Sequence, residues 1–389
     1  MLNKNSNIAI LLAGIFSIIV GIGVARFAFT SLLTPMLHDY LSVTDAGILA
    51  SLNFAGYLSG AMFSITLKDI QKKVFYFRVG LFLSILTTLI LATSTNETLW
   101  IVSRMAAGFG SAMILLVGSS LVMLKLNLKH KTKAMGIHFS GIGFAIVISE
   151  LVSQSVLKYS SWSDTWFILS ILAFTLSIYS MYILSFDKDI HADIIKPKSQ
   201  ESLFTPYVIL LILAYFTEGV GFVVQGTFLP KIINTLDGLE GYGNLGWLIV
   251  GLAGVPSSIL WMRLAHRFKS VDVIIFAMAL QLIGILIPAF STNIYLNLLS
   301  AALYGSTFIG LVALFMNLGG QISKNNPVIL MGSMTAAYGI GQVGAPLYSV
   351  ALISYFGNFN TTLYLTAFIV FIGITLMFWT KRLNSYTSH

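Results

Sequence analysis

The sequence predicts an all-α membrane protein of twelve transmembrane helices arranged as two six-helix bundles. Three observations predict it. Of 389 residues, 57% are hydrophobic and only 9% are charged, against about 25% charged in a soluble domain. The apolar residues fall in runs of the ~18 or more needed to cross the hydrocarbon core as a helix. The cations cluster between those runs on alternate turns of the chain, the pattern of the positive-inside rule.

The spans follow in order. The first runs from Ile8 to about Met36. It exceeds the ~7–15 apolar residues of a signal peptide, and no small-residue cleavage site follows it, so it reads as a spanning helix. Further spans fall near 45–67, 74–93, 98–124, 134–157 and 164–185, then 206–230, 243–262, 272–290, 294–319, 327–355 and 361–380. Short polar turns, Ser94–Glu97 and Ser291–Asn293, separate the third span from the fourth and the ninth from the tenth.

The 22 Lys and Arg residues orient the chain. Lys4, Lys68, Lys72, Lys73, Arg78, Lys125, Lys129, Lys131, Lys133, Lys188, Lys196, Lys198, Arg263, Arg267, Lys269, Lys324, Lys381 and Arg382 lie on one side. Only Lys158 and Lys231 lie on the other, while Arg26 and Arg104 fall inside spans. This asymmetry predicts both termini in the cytoplasm, an even number of spans, and residence in the cell's inner (cytoplasmic) membrane. It also turns the formal charge of +8 away from a nucleic-acid reading.

The longest polar segment, Phe186–Leu203, sits at mid-chain. It predicts an N-terminal bundle at 1–185, a cytoplasmic linker at 186–204 and a C-terminal bundle at 205–389. A shift of roughly 197 residues superposes the helix starts and lays Leu67 on Leu264, Asp69 on His266 and Gly108 on Gly305. Two halves related by a parallel repeat are a transporter design.

Other classes of function lack their residues. There are no cysteines, hence no disulfide, thiolate metal site or cysteine nucleophile. No Gly-Lys dipeptide exists to form a phosphate-binding Walker loop. No His and acid cluster has metal-ligand spacing, no Gly-x-Ser-x-Gly elbow occurs, and no soluble segment is large enough to hold an enzyme. The expectation is therefore no catalytic residue, no cofactor and no metal. Energy would come from a gradient, where one charge crossing 100 mV is worth about 2.3 kcal/mol.

Several stretches carry a resemblance. The first span holds Gly23-Val-Ala-Arg-Phe-Ala-Phe-Thr30, and the second Ala46-Gly-Ile-Leu-Ala-Ser-Leu-Asn53 and Gly56-Tyr-Leu-Ser-Gly60. The seventh holds Tyr215-Phe-Thr-Glu-Gly-Val-Gly-Phe222 and Gly226-Thr-Phe-Leu-Pro230. After the eighth comes Leu260-Trp-Met-Arg-Leu-Ala-His-Arg-Phe268, and the eleventh holds Gly341-Gln-Val-Gly-Ala-Pro346. Over nearly its whole length the chain resembles the major facilitator superfamily, and more narrowly its YbfB/YjiJ group. It departs from the superfamily at the loop between the second and third spans. Asp69 and the trailing Lys72 and Lys73 stand there without the usual glycines and Arg, and His266 replaces the Asp expected in the second half. The fourth span reads Arg104-Met-Ala-Ala-Gly-Phe-Gly110, without the motif's Gln, and the fifth lacks the Gly-Pro pair of drug–proton antiporters.

The resemblance implies a major facilitator fold in which helices 1, 4, 7 and 10 line a cavity flanked by 2, 5, 8 and 11. Four formal charges then fall on cavity-forming helices: Arg26, Arg104, Glu150 and Glu218. Each costs roughly 2.5–3.5 kcal/mol at mid-membrane, so such residues face a cavity or a partner. Arg26 and Arg104 are candidate ligands for an anionic or zwitterionic solute, and Glu218 or Glu150 a candidate proton carrier. The plainer alternatives are that Arg104 braces the first helix through its carbonyls and that Glu150 neutralises Arg104. Tyr215, Glu218, Phe222 and Gln225 recur at helical spacing and predict one shared face. Asn53 with Tyr57, and Tyr338 with Gln342, are i, i+4 pairs that extend the candidate substrate site. Each also reads as interhelical packing or hydrogen bonding. His138, one turn inside the fifth span, reads as a packing residue.

These residues predict a monomeric secondary active transporter of a small organic solute, driven by protons through alternating access, with the lipid bilayer as its other partner. Two further readings stay open. One is efflux of an amphiphile such as a drug or siderophore. The other is a receptor or lipid scrambler on the same fold that couples nothing.

Overall fold

The computed structural model describes residues 4–127, 131–186, 205–322 and 327–387. The expected linker at 186–204, apart from Phe186, and the cations Lys129, Lys188, Lys196, Lys198 and Lys324 lie outside the described residues. Among those described, twelve helices are long and apolar enough to cross a membrane. They are α1 (Asn7–Asp39), α2 (Val43–Thr66), α3 (Ile70–Thr93), α4 (Glu97–Lys125), α5 (Ala134–Leu157), α6 (Trp162–Ile183), α7 (Pro206–Asn234), α8 (Gly243–Arg267), α9 (Ser270–Phe290), α10 (Ile294–Ile322), α11 (Leu330–Phe356) and α12 (Asn360–Leu383). The protein is an all-helical, multi-pass membrane protein. Phe82, Phe174, Tyr182, Phe276, Phe368 and Trp379 stand more than half exposed on helix surfaces, which only a lipid environment makes favourable.

Helix ends follow local chemistry more than hydropathy. Ser42 and Asp45 form a capping box at the start of α2, as Ser161 and Asp164 do for α6, satisfying amide donors that have no intrahelical partner. Asp69 accepts from the Lys72 amide at 2.8 Å, so α3 begins at Ile70 rather than at 74. Helices α7 and α8 run on to Asn234 and Arg267, past the apolar limits at 230 and 262. Hydropathy marks where hydrocarbon ends, whereas the backbone ladder stops only where a cap or turn interrupts it.

The chain divides into two compact units, Met1–Ile194 and Ile195–His389. Each is built from the same pairings. In the first, α2 packs on α4, α3 on α4 and α6, and α1 on α5 and α6; in the second, α8 packs on α10, α9 on α10 and α12, and α7 on α11 and α12. One crossing shows the repeat at atomic level. A Cβ on Gly108 of α4 would overlap the Asn53 carbonyl oxygen of α2, and a Cβ on Gly305 of α10 would overlap the Val250 carbonyl oxygen of α8. Both residues of each contact are related by the same 197-residue shift. Only glycine lets the two backbones approach so closely.

Among the described residues two helices contain π-helical segments. Ile19–Phe27 of α1 and Met113–Val117 of α4 are π-helical. Such segments are rare and favour functional positions, and the first contains Arg26.

Candidate functional site

In the N-terminal unit the π-helical segment of α1 is held by side chains of α4. Arg104 Nη1 donates to the Ala25 carbonyl at 3.0 Å, and Ser111 Oγ to the Gly21 carbonyl at 2.6 Å. Residues 104 and 111 are two turns apart and share one face of α4. They bond carbonyls of the segment whose backbone ladder has shifted, the usual way an irregular helix is satisfied away from water. Arg104 also lies over the Phe29 ring at 4.5 Å. Of the two sequence readings for Arg104, this is the bracing arrangement. Arg104 forms no direct ion pair among the described residues.

The brace fixes the backbone immediately before Arg26. The Arg26 guanidinium lies over the rings of Phe54 at 4.3 Å and Tyr57 at 4.9 Å on α2, with 7% of the residue exposed. A planar cation over ring faces is attracted by their quadrupoles, and its in-plane donors stay directed at the rim of the stack. Asn53, one turn before Tyr57, donates to the Arg104 carbonyl at 3.0 Å, and its Oδ1 is buried without a partner. The structure thus brings Arg26, Asn53, Tyr57 and Arg104 together. Glu150 is buried on α5, the helix that packs on the π-helical segment.

In the C-terminal unit the expected single face of α7 divides in two. An α-helix turns about 100° per residue. Taking Tyr215 as origin, Phe222 stands about 20° away, while Glu218 and Gln225 stand about 60° and 80° away on the same side. That spread is enough to send the pairs to different neighbours. Tyr215 stacks on Tyr338 of α11 at 4.5 Å and on Phe315 of α10 at 4.6 Å. Phe222 stacks on Phe308 at 5.3 Å, and Tyr304 donates to the Phe222 carbonyl at 2.8 Å. Glu218 instead turns to α9, and Gln225 to α9 and the facing stretch of α10. Gln225 Nε2 donates to the Gly284 carbonyl and to Ser300 Oγ, both at 3.2 Å. Glu218 Oε2 accepts from Gln281 Nε2 at 3.2 Å, and its Oε1 has no hydrogen-bond partner. Glu218 is wholly buried. Gln342 of α11 is buried with an unpartnered Oε1, one turn from Tyr338.

Sequence reasoning missed Gln281, Phe54, Ser111 and both π-helical segments. Gln281 carried a signal: it is the one amide within the apolar run from Val273 to Phe290. His138 of α5 packs as expected, its Nε2 2.8 Å from Ser119 Oγ of α4.

A family model described as an uncharacterised MFS-type transporter, YbfB, matches residues 18–378. The multidrug efflux pump SdrM of Staphylococcus aureus (strain N315) is 27% identical over 159 residues, 39% of this chain and 35% of the pump. An uncharacterized transporter of Buchnera aphidicola subsp. Schizaphis graminum is 22% identical over 279 residues, 69% of this chain and 66% of its own. The chain thus spans about a third of the one relative and just under two thirds of the other. Among solved structures, the nucleoside transporter NupG superposes with a TM-score of 0.75 at 11% identity, over 97% of this chain and all of its own. That likeness is one of fold.

Proposed function

The chain belongs to the family of YbfB-type MFS transporters, and from that premise we propose that it moves a small anionic or zwitterionic organic solute across the cytoplasmic membrane, driven by protons. The observation that carries the reading is Glu218: a carboxyl wholly buried at the middle of a spanning helix and met by a single amide donor. A group so placed is expensive, and it is the one fully buried acid among the described residues of its unit. A carboxyl that gains and loses a proton can change the charge of its unit at each turnover. Glu150 is the alternative carrier.

Recognition of the solute falls to Arg26. Its charge is held in place by Phe54 and Tyr57 and by the Arg104 brace, with Asn53 offering an unused acceptor oxygen. Arg104 acts in this reading by positioning Arg26. In the C-terminal unit Tyr215, Tyr338, Gln342 and Gln225 remain candidate substrate residues, offering ring faces and amides. Both termini lie in the cytoplasm on the cation asymmetry.

The test begins with a thermal-shift screen of purified protein to find a stabilising solute. Its flux in proteoliposomes is then measured under an imposed pH difference. Accumulation is expected in the wild type. Glu218→Gln, which mimics the protonated acid, is expected to lose accumulation while keeping binding and counterflow exchange. Accumulation by Glu218→Gln would move the assignment to Glu150, and no pH-driven flux at all would favour the uncoupled receptor or scrambler. The similarity to SdrM favours a second reading, efflux of an amphiphile. Stabilisation by lipophilic cations rather than anions would select it.

A further inference from the structure

We propose that Gln281 is the positioning residue of the Glu218 carboxyl, presenting its amide N–H to the ionised carboxylate and, after a half-turn of the amide, its carbonyl oxygen to the protonated acid. The inference rests on the reading of Glu218 as the coupling carboxyl. Four observations lead to it. Gln281 and Glu218 are both wholly buried. They are joined by one hydrogen bond of 3.2 Å, from Nε2 to Oε2. An oxygen on each, Glu218 Oε1 and Gln281 Oε1, is left without a partner. The fourth observation is that the residue next to an oxygen of each is a glycine, Gly221. A Cβ on Gly221 would stand 3.7 Å from both Glu218 Oε2 and Gln281 Oε1, and 2.5 Å from Val370 Cγ2. The close contact of that Cβ is with Val370, while both oxygens lie at ordinary van der Waals distance from it.

The hydrogen-bond inventory then sets what each state needs. An ionised carboxylate only accepts, whereas a carboxylic acid donates one O–H and still accepts. A side-chain amide has donors on one end and an acceptor on the other. The arrangement found, one N–H of Gln281 on Oε2, is the one that serves the ionised state. When hydronium delivers a proton, a carboxylate O–H bond forms, a water molecule leaves and the carboxyl becomes a donor. Left as it stands, the amide would offer that new donor nothing, and a buried donor without an acceptor costs about 1–3 kcal/mol. The unpartnered Oε1 of Gln281 is the acceptor within reach of one torsion. The two states therefore differ in the rotation of a single side chain, with no charged group required to answer the proton.

No charged side chain among the described residues faces the pair. Asp272 of α9 and Lys381 of α12 pair with each other at 2.6 Å, about 13 Å along α9 from Gln281 at 1.5 Å per residue. Arg263, His266 and Arg267 of α8 stand exposed at that helix's end. From α10 the Tyr304 hydroxyl is taken by the Phe222 carbonyl. From α11 Tyr338 stacks on Tyr215, and Tyr348 meets Thr366 of α12 at 2.6 Å.

The probe is the proton itself, so no transported solute is needed. Full-length protein in lipid vesicles is examined by pH-difference infrared spectroscopy, with and without isotope labelling of the glutamine side-chain amide. Expected is a protonated-carboxyl band that Glu218→Gln removes, accompanied in the wild type by a labelled amide band that reports a changed hydrogen bond with the same pH midpoint. In Gln281→Leu the carboxyl band should move to higher wavenumber, as a carboxylic acid that loses its hydrogen-bond partner does, and the labelled amide signal should vanish. Gln281→Asn should restore part of both. If the Glu218 band titrates while no glutamine amide signal follows it in the wild type, the role of Gln281 is overturned and the coupling reading stands. If no band is lost in Glu218→Gln, both fall together. The wild-type amide signal decides the matter even where Gln281→Leu fails to fold.

Discussion

A methyl group added at Gly108 or at Gly305 tests the repeat at its tightest point. In each unit the new Cβ would overlap a backbone carbonyl oxygen, that of Asn53 or of Val250. The neighbour is main chain, so no side-chain rotation relieves the clash and the helix pair itself must separate. Overpacking typically costs about 1–3 kcal/mol, and a main-chain neighbour places these two sites at the upper end. At roughly 2–4 °C per kcal/mol for a unit of this size, each variant should melt about 6–12 °C below the wild type. Gly344→Ala is the control: it is helical and exposed, with nothing within 4 Å of its added methyl. It should be neutral, or gain the ~0.4–1 kcal/mol that replacing glycine gives at a compatible site. Melting of purified protein in detergent, followed by tryptophan fluorescence, reads all three. Gly108→Ala and Gly305→Ala melting with the wild type would refute the close crossing. One falling without the other would refute its equivalence in the two units.

Other outcomes follow from the N-terminal unit. Arg26→Lys keeps the charge but loses the planar stack on Phe54 and Tyr57, so the solute found by thermal shift should bind about tenfold more weakly, a change of ~1.4 kcal/mol; unchanged affinity in equilibrium binding would remove Arg26 from the site. Ser111→Ala releases the Gly21 carbonyl of the π-helical segment and should cost about 1–3 kcal/mol, read as a lowered melting temperature; no loss would show that the segment holds itself. Gly14→Ala places a methyl 2.5 Å from His138 Nδ1 and 2.8 Å from Val122 Cγ2. It should lower the melting temperature, and His138→Ala, by making room, should recover part of the loss. A reporter fused after His389 should read cytoplasmic, and a periplasmic reading would overturn the orientation drawn from the cations.

What was legible in the sequence was whatever the bilayer imposes. Twelve apolar runs and the sidedness of the cations are consequences of the hydrocarbon's thickness and the cost of charge within it, and both act on residue type alone. The internal repeat was legible at Gly108 and Gly305 because a backbone crossing tolerates only one residue there. The site was legible as a set of residues but not as an arrangement. Spacing put Tyr215, Glu218, Phe222 and Gln225 on one face, yet an arc of about 80° is wide enough to touch two neighbours. Which member stacks on α10 and α11, and which bonds to α9, is decided by side chains on those helices and not by α7. Gln281 was therefore invisible as a partner, although visible as an oddity. The π-helical segments lay further out of reach. A shifted backbone ladder leaves no mark on composition or periodicity, and it persists here because Arg104 and Ser111, some eighty to ninety residues away in sequence, bond its carbonyls. Arg104 shows the same limit from the other side. Its type and depth marked it for substrate, since an arginine in hydrocarbon needs a partner, but a carbonyl oxygen of the protein's own first helix takes one of its donors. A buried charge in such a chain announces that something meets it. Whether that something is cargo, proton or backbone is settled by the geometry around it.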